Sequence, residues 1–150
     1  MNSKNIVYRL EKNASSIPDL PAIIDSRKRR HRTITFKELY SEVKRLAFGF
    51  SKVGLKKGNR VLLIAKPGKD LILITYGLFS LGATPVLIDP GLGRKNILKC
   101  VKNAQPDVMI GVPIASFIRI CFSEYFSSIK LFITLGKSKF LNDFTIKEIR

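Results

Sequence analysis

Between residues 60 and 135 the sequence alternates between two hydrophobic periodicities, and this constrains the fold more than any other feature. The runs at 60–65 (RVLLIA), 84–88 (TPVLI), 107–112 (DVMIGV) and 130–135 (KLFITL) are short and almost continuously apolar. That is the pattern of strands buried on both faces. Between them, 70–81, 94–104 and 114–122 carry apolar residues at helical spacing. Strands that alternate with helices of ten or so residues require right-handed crossovers and a parallel sheet. The expected fold class is therefore α/β, a mainly parallel sheet with helices on both faces. The run at 130–135 is expected to be its last strand.

The first third of the chain reads differently. Residues 6–14 suggest a short amphipathic helix, with Ile6, Val7 and Leu10 on one side. Short apolar strands at 21–25 and 33–35 flank Ser26-Arg27-Lys28-Arg29-Arg30-His31-Arg32, the pattern of an N-terminal hairpin with a charged tip. Thr35 and Glu38 form a capping-box pair that opens the clearest helix. Its buried stripe is Leu39, Val43, Leu46, Ala47, Phe50 and Val53, and Gly54 stands where a left-handed residue closes a helix. Thr145 and Glu148 repeat the capping box at the other end of the chain. A single helical turn there has no stability of its own, and the chain is expected to be a truncated piece of a longer fold.

Charge narrows the partners without choosing one. With 27 Lys and Arg against 11 Asp and Glu, the net charge is +16, which attracts polyanions. The run 27–32 could grip phosphates or serve as a nuclear address. It contains no aromatic residue to stack on bases, and a solvated hairpin tip accounts for it. Any nucleic-acid or polyanion binding is expected to be weak and non-specific. Cys100 and Cys121 lack a CxxC partner or a nearby histidine, so they read as buried, reduced thiols rather than metal ligands. The N-terminus has no apolar secretory core, and the expected setting is cytoplasmic. Residues 71–88 are uncharged over a length that approaches a membrane span. Gly77, Gly82, Thr84 and Pro85 interrupt them, so a buried helix followed by a buried strand is expected, not a transmembrane segment.

The order of elements from 33 to 96, TITFKELYSEVKRLAFGFSKVGLKKGNRVLLIAKPGKDLILITYGLFSLGATPVLIDPGLGRKN, resembles the front end of the acyl-adenylate-forming (AMP-binding) ligases. The resemblance extends over roughly residues 5–135. Within the family, Pro85-Val86-Leu87-Ile88-Asp89-Pro90-Gly91-Leu92-Gly93-Arg94-Lys95-Asn96 resembles most the fatty-acyl ligases related to olefin β-lactone synthetases. The resemblance implies an ATP- and Mg-dependent attack of a carboxylate on the α-phosphate. Acyl-AMP and pyrophosphate result, and the acyl group then passes to coenzyme A or another acceptor. It also implies a Ser/Thr/Gly-rich loop ending Pro-Lys-Gly, later acidic residues and a distant lysine, none of which occurs in these 150 residues. No catalytic, cofactor-binding or metal residue can be carried over.

Local lookalikes do not fill that gap. Gly136-Lys137-Ser138 has the tail of a Walker loop, but Leu131 stands where its first glycine is required. Gly91-Leu92-Gly93 follows a strand, but Asn96 replaces the third glycine of a dinucleotide fingerprint, and a tight strand-to-helix turn suffices. Asp89 before Pro90 reads as a turn former rather than a functional carboxylate. Glu38, Glu42 and Arg45 read as a solvated, charge-paired helix face. His31 is the single histidine, set among cations and without a triad partner. The expectation is a partial N-terminal AMP-binding domain over 1–150, inactive alone and binding no cofactor by itself. Its partner would be a C-terminal portion supplied as a separate chain. The alternatives are a basic non-catalytic α/β module that binds nucleic acid or another polyanion, and a non-catalytic subunit of a split ligase.

Overall fold

The computed structural model describes residues 5–25, 32–88, 90–136 and 144–149. The run at 27–31 including His31, the hairpin tip, Asp89, and Lys137-Ser138 lie outside them.

Helix α1 (Ile6–Ser16) starts at Asn5, a cap the periodicity did not reveal. The Asn5 side chain accepts from the Val7 N–H at 3.0 Å, and its amide donates to the Phe79 carbonyl at 2.7 Å. One residue thus satisfies an orphan helix donor and ties α1 to a later helix. Strands β1 (Pro21–Asp25) and β2 (Arg32–Thr35) form the expected antiparallel hairpin. Helix α2 (Phe36–Lys52) opens on the complete capping box. The Glu38 N–H donates to the Thr35 hydroxyl at 3.2 Å, and the Thr35 N–H donates to the Glu38 carboxylate at 2.9 Å. Gly54, at φ +94, follows the helix end as predicted.

The parallel sheet comprises β3 (Arg60–Ile64), β4 (Thr84–Val86), β5 (Val108–Gly111), β6 (Leu131–Thr134) and β7 (Phe144–Thr145), in the order β4-β3-β5-β6-β7. Its crossovers contain α3 (Lys69–Leu81), α4 (Arg94–Ala104) and α5 (Pro113–Cys121). Alternate residues of each strand enter separate cores. Val61, Leu63, Val108, Ile110 and Ile133 pack with α1, α2 and α3. Leu62 and Met109 pack with Leu98 and Val101 of α4 and Ala115 of α5. Two buried faces explain why the strands read as continuous apolar runs. Gly77 sets the closeness of α2 and α3, since a Cβ there would meet Leu46 and Phe50 at 3.2 Å.

Several expectations need correction. The run at 130–135 is not the last strand. Phe144 and Thr145 pair with Ile133 and Thr134 as β7, a strand too short to leave an apolar run in the sequence. Strand β4 ends at Val86 rather than 88 and occupies an edge, where Pro85 can be tolerated without its N–H. The terminal turn, α6 (Ile146–Ile149), is ordered by tertiary contact. Ile149 is buried against α2, and the Thr145–Glu148 capping box closes reciprocally. Neither thiol is fully buried: Cys100 is half-buried and Cys121 exposed. The uncharged stretch at 71–88 divides between α3 and β4, and among the described residues no helix is long and apolar enough to cross a membrane.

Candidate functional site

The strand order reverses at β3. Its crossover through α3 leads outward to β4, and the chain then returns past β3 to form β5 on the other side. Loops leaving the carboxyl ends of β3 and β5 therefore diverge to opposite faces of the sheet. Open α/β sheets bind ligands in the crevice this creates. A cavity of about 420 Å³ lies there, walled by Ala65 and Gly68 after β3, Val112 after β5, Leu135 after β6, and Ile74 of α3. Ile146 and Lys147 of α6 complete it, and its charged groups are Lys66, Asp70 and Lys147.

Local chemistry shapes this cavity. Beyond the strand ends, the Val112 N–H donates to the Ile64 carbonyl at 3.0 Å and the Leu135 N–H to the Gly111 carbonyl at 2.8 Å. These bonds prolong the ladder and hold the three loops in register. Gly68 begins α3 at φ +144, a conformation L side chains rarely adopt. Gly68 has no side chain with which to cap α3. Two ammonium groups and one carboxylate beside apolar lining residues can bind and orient a polar ligand. They do not form a nucleophile–base pair or an acid–base relay. Among the described residues no group of His, Cys, Asp and Glu could hold a metal.

None of the cavity's residues was singled out by sequence reasoning. Lys66, Gly68 and Asp70 lie within the stretch that carries the family resemblance and Lys147 within the Thr145–Glu148 capping box, but neither pattern gave them a role. Of the lookalike segments weighed there, the described residues are not among those that line the cavity. Pro90–Leu92 is a 3-10 turn, and Gly93 at φ +73 leads into α4. The Asn96 amide donates back to the Leu92 carbonyl at 3.1 Å. The third position of the supposed fingerprint is therefore used to close the turn. Glu42 and Arg45 form an ion pair on the exposed side of α2. Among the described residues one ionisable group is strongly perturbed, outside the cavity: the Tyr40 hydroxyl donates to the Glu11 carboxylate at 2.5 Å. That bond, with burial and the carboxylate's charge, pushes the phenol up to about 12.

This architecture defines an open, doubly wound α/β protein with a ligand crevice at its topological switch point. The model of the AMP-binding enzyme family matches residues 10–134, and the chain belongs to that family. It is 32% identical over 105 residues to the olefin beta-lactone synthetase of Stenotrophomonas maltophilia (strain K279a), across 70% of this chain and 19% of the relative. It is 33% identical over 87 residues to the corresponding synthetase of Xanthomonas campestris pv. campestris, across 58% of this chain and 16% of the relative. Among solved structures, the coronafacic acid ligase of Pectobacterium brasiliense superposes with a TM-score of 0.82 at 20% identity, covering 97% of this chain and 29% of its own. The chain thus spans under a fifth of the length of those curated synthetases.

Proposed function

We propose that this chain forms the N-terminal layer of an ATP-dependent acyl-activating ligase, a partial domain over 1–150. The observation that carries the reading is the switch-point cavity, in a chain whose family match runs through β3, β5 and β6, the strands that lead into it. In the complete enzyme a fatty-acid carboxylate oxygen would attack the α-phosphorus of ATP, with pyrophosphate leaving. Coenzyme A or another acceptor would then take the acyl group. ATP and Mg belong to that complete enzyme. The residues present here do not fit them as a catalytic site, because the phosphate loop is absent from the sequence and, among the described residues, no carboxylate cluster lines the cavity. This chain's own residues serve as scaffold: they wall the crevice, exclude water with Ile74, Val112 and Leu135, and contribute Lys66 and Lys147 to its lining. A cytoplasmic setting, where ATP is supplied, belongs to the same proposal.

A preorganised array of donors supplies most of the transition-state stabilisation in such a displacement. The isolated chain should therefore show no fatty-acid-dependent ATP–pyrophosphate exchange. Joined in frame to the part of the S. maltophilia synthetase beyond the matched region, it should restore exchange. A folded but inactive chimera, or exchange by the rigorously purified chain alone, would overturn the proposal. The +16 charge favours a second reading, a basic module that binds polyanions.

A further inference from the structure

Helix α5 has apolar residues on two sides. Ala115 is buried in the second core. Ile114, Phe117 and Ile118 remain 60%, 52% and 39% exposed, and Cys121 is exposed as well. Their spacing, i, i+3, i+4 and i+7, makes one continuous stripe along the helix. Isolated exposed apolar residues need no explanation, but a contiguous set marks an interaction face.

Three kinds of occupant compete for this stripe. A second copy would bring one +16 chain against another, and that repulsion opposes association. An anionic lipid surface is recognised by helices whose polar face is rich in Lys and Arg. The only charged residue of α5 is Arg119, and its guanidinium lies over the Phe132 ring at 3.4 Å, turned onto the sheet. The third is the remainder of the ligase fold. The chain covers only 19% of the S. maltophilia synthetase and 29% of the coronafacic acid ligase, so most of such a fold lies outside it. The excess of 27 cations over 11 anions calls for a partner that carries compensating carboxylates.

We propose that the stripe of Ile114, Phe117, Ile118 and Cys121 is the seat on which the rest of the ligase fold docks. Its occupant is an apolar surface rimmed by acidic residues. The inference rests on the ligase reading above and supplies the contact through which the cavity-bearing layer is completed.

Cys121 reports on it directly. The rate of maleimide modification of the Cys121 peptide, followed by mass spectrometry, is compared between the isolated chain and the same chain joined to the synthetase remainder. At least tenfold slower modification in the joined protein is expected. Phe117→Asp, a substitution at an exposed position, should restore the fast rate while leaving the isolated chain's melting curve unchanged. An unchanged Cys121 rate in the folded, joined protein would overturn the proposal. Protection of the isolated chain by phosphatidylserine vesicles, or protection that grows with its own concentration, would assign the stripe to a membrane or to a second copy and overturn it equally. Exchange activity with Cys121 still reactive would defeat this inference alone. Protection without exchange would defeat the ligase proposal and leave the docking surface standing.

Discussion

Tyr40 couples the first two helices through a single hydrogen bond to Glu11, and the coupling depends on pH. Its phenol is raised from about 10 to about 12 in the folded chain. A raised value means that the folded state holds the proton more tightly. The contribution is complete below about pH 10 and is lost as the pH rises through about 12. Ultraviolet titration of the tyrosines should show one phenolate appearing late, near pH 12. Tyr40→Phe should abolish that late step and flatten the alkaline loss of stability. A late step that survives the substitution would place the perturbed phenol elsewhere. The capping box at Thr35 and Glu38 was legible at this scale, because both partners lie within one turn. The bond from Tyr40 to Glu11 was not, because 29 residues separate them.

Helix α6 shows what an element can owe to its surroundings. Four residues cannot sustain a helix in water, yet Ile149 is buried and its carbonyl oxygen approaches α2 closely. A Cβ placed on Gly49 would stand 1.9 Å from that oxygen. Two effects oppose each other in Gly49→Ala. Alanine favours the helix interior by about 1 kcal/mol, whereas forcing apart a packed contact costs about 1–3 kcal/mol. A net loss of about 1 kcal/mol is expected, read as a lower denaturant midpoint, with faster amide exchange at 146–149. A stabilised variant would mean that α6 does not pack on Gly49 in solution. The apolar strands β3, β5 and β6 were all visible as sequence runs. Strand β7 was not, because two residues carry no periodicity.

At the scale of the whole molecule, +16 is a property of the field rather than of any one site. Binding to nucleic acid should therefore be weak, indifferent to sequence and steeply dependent on salt, since its free energy comes from counterion release. For about six phosphate contacts, affinity should fall on the order of a thousandfold between about 50 and 200 mM salt. Filter binding with two unrelated duplexes across that range checks this. Tight binding to one of them that persists at the higher salt would promote the polyanion-binding reading over the ligase reading.

The alternation of apolar runs was enough to determine that this chain builds a parallel sheet covered on both faces, because periodicity encodes which sides of an element avoid water. The ordered segments from 33 to 96 were enough to indicate the family. Which strands become neighbours was decided only by tertiary structure. The pairing of β3 with both β4 and β5, and hence the switch point and its cavity, joins residues 24 positions apart on one side and 47 on the other. The same holds for the α5 stripe. Its spacing is written in the sequence, but the side it buries is settled by which residues the sheet covers. Ala115 goes inward, and Ile114, Phe117 and Ile118 are left facing solvent.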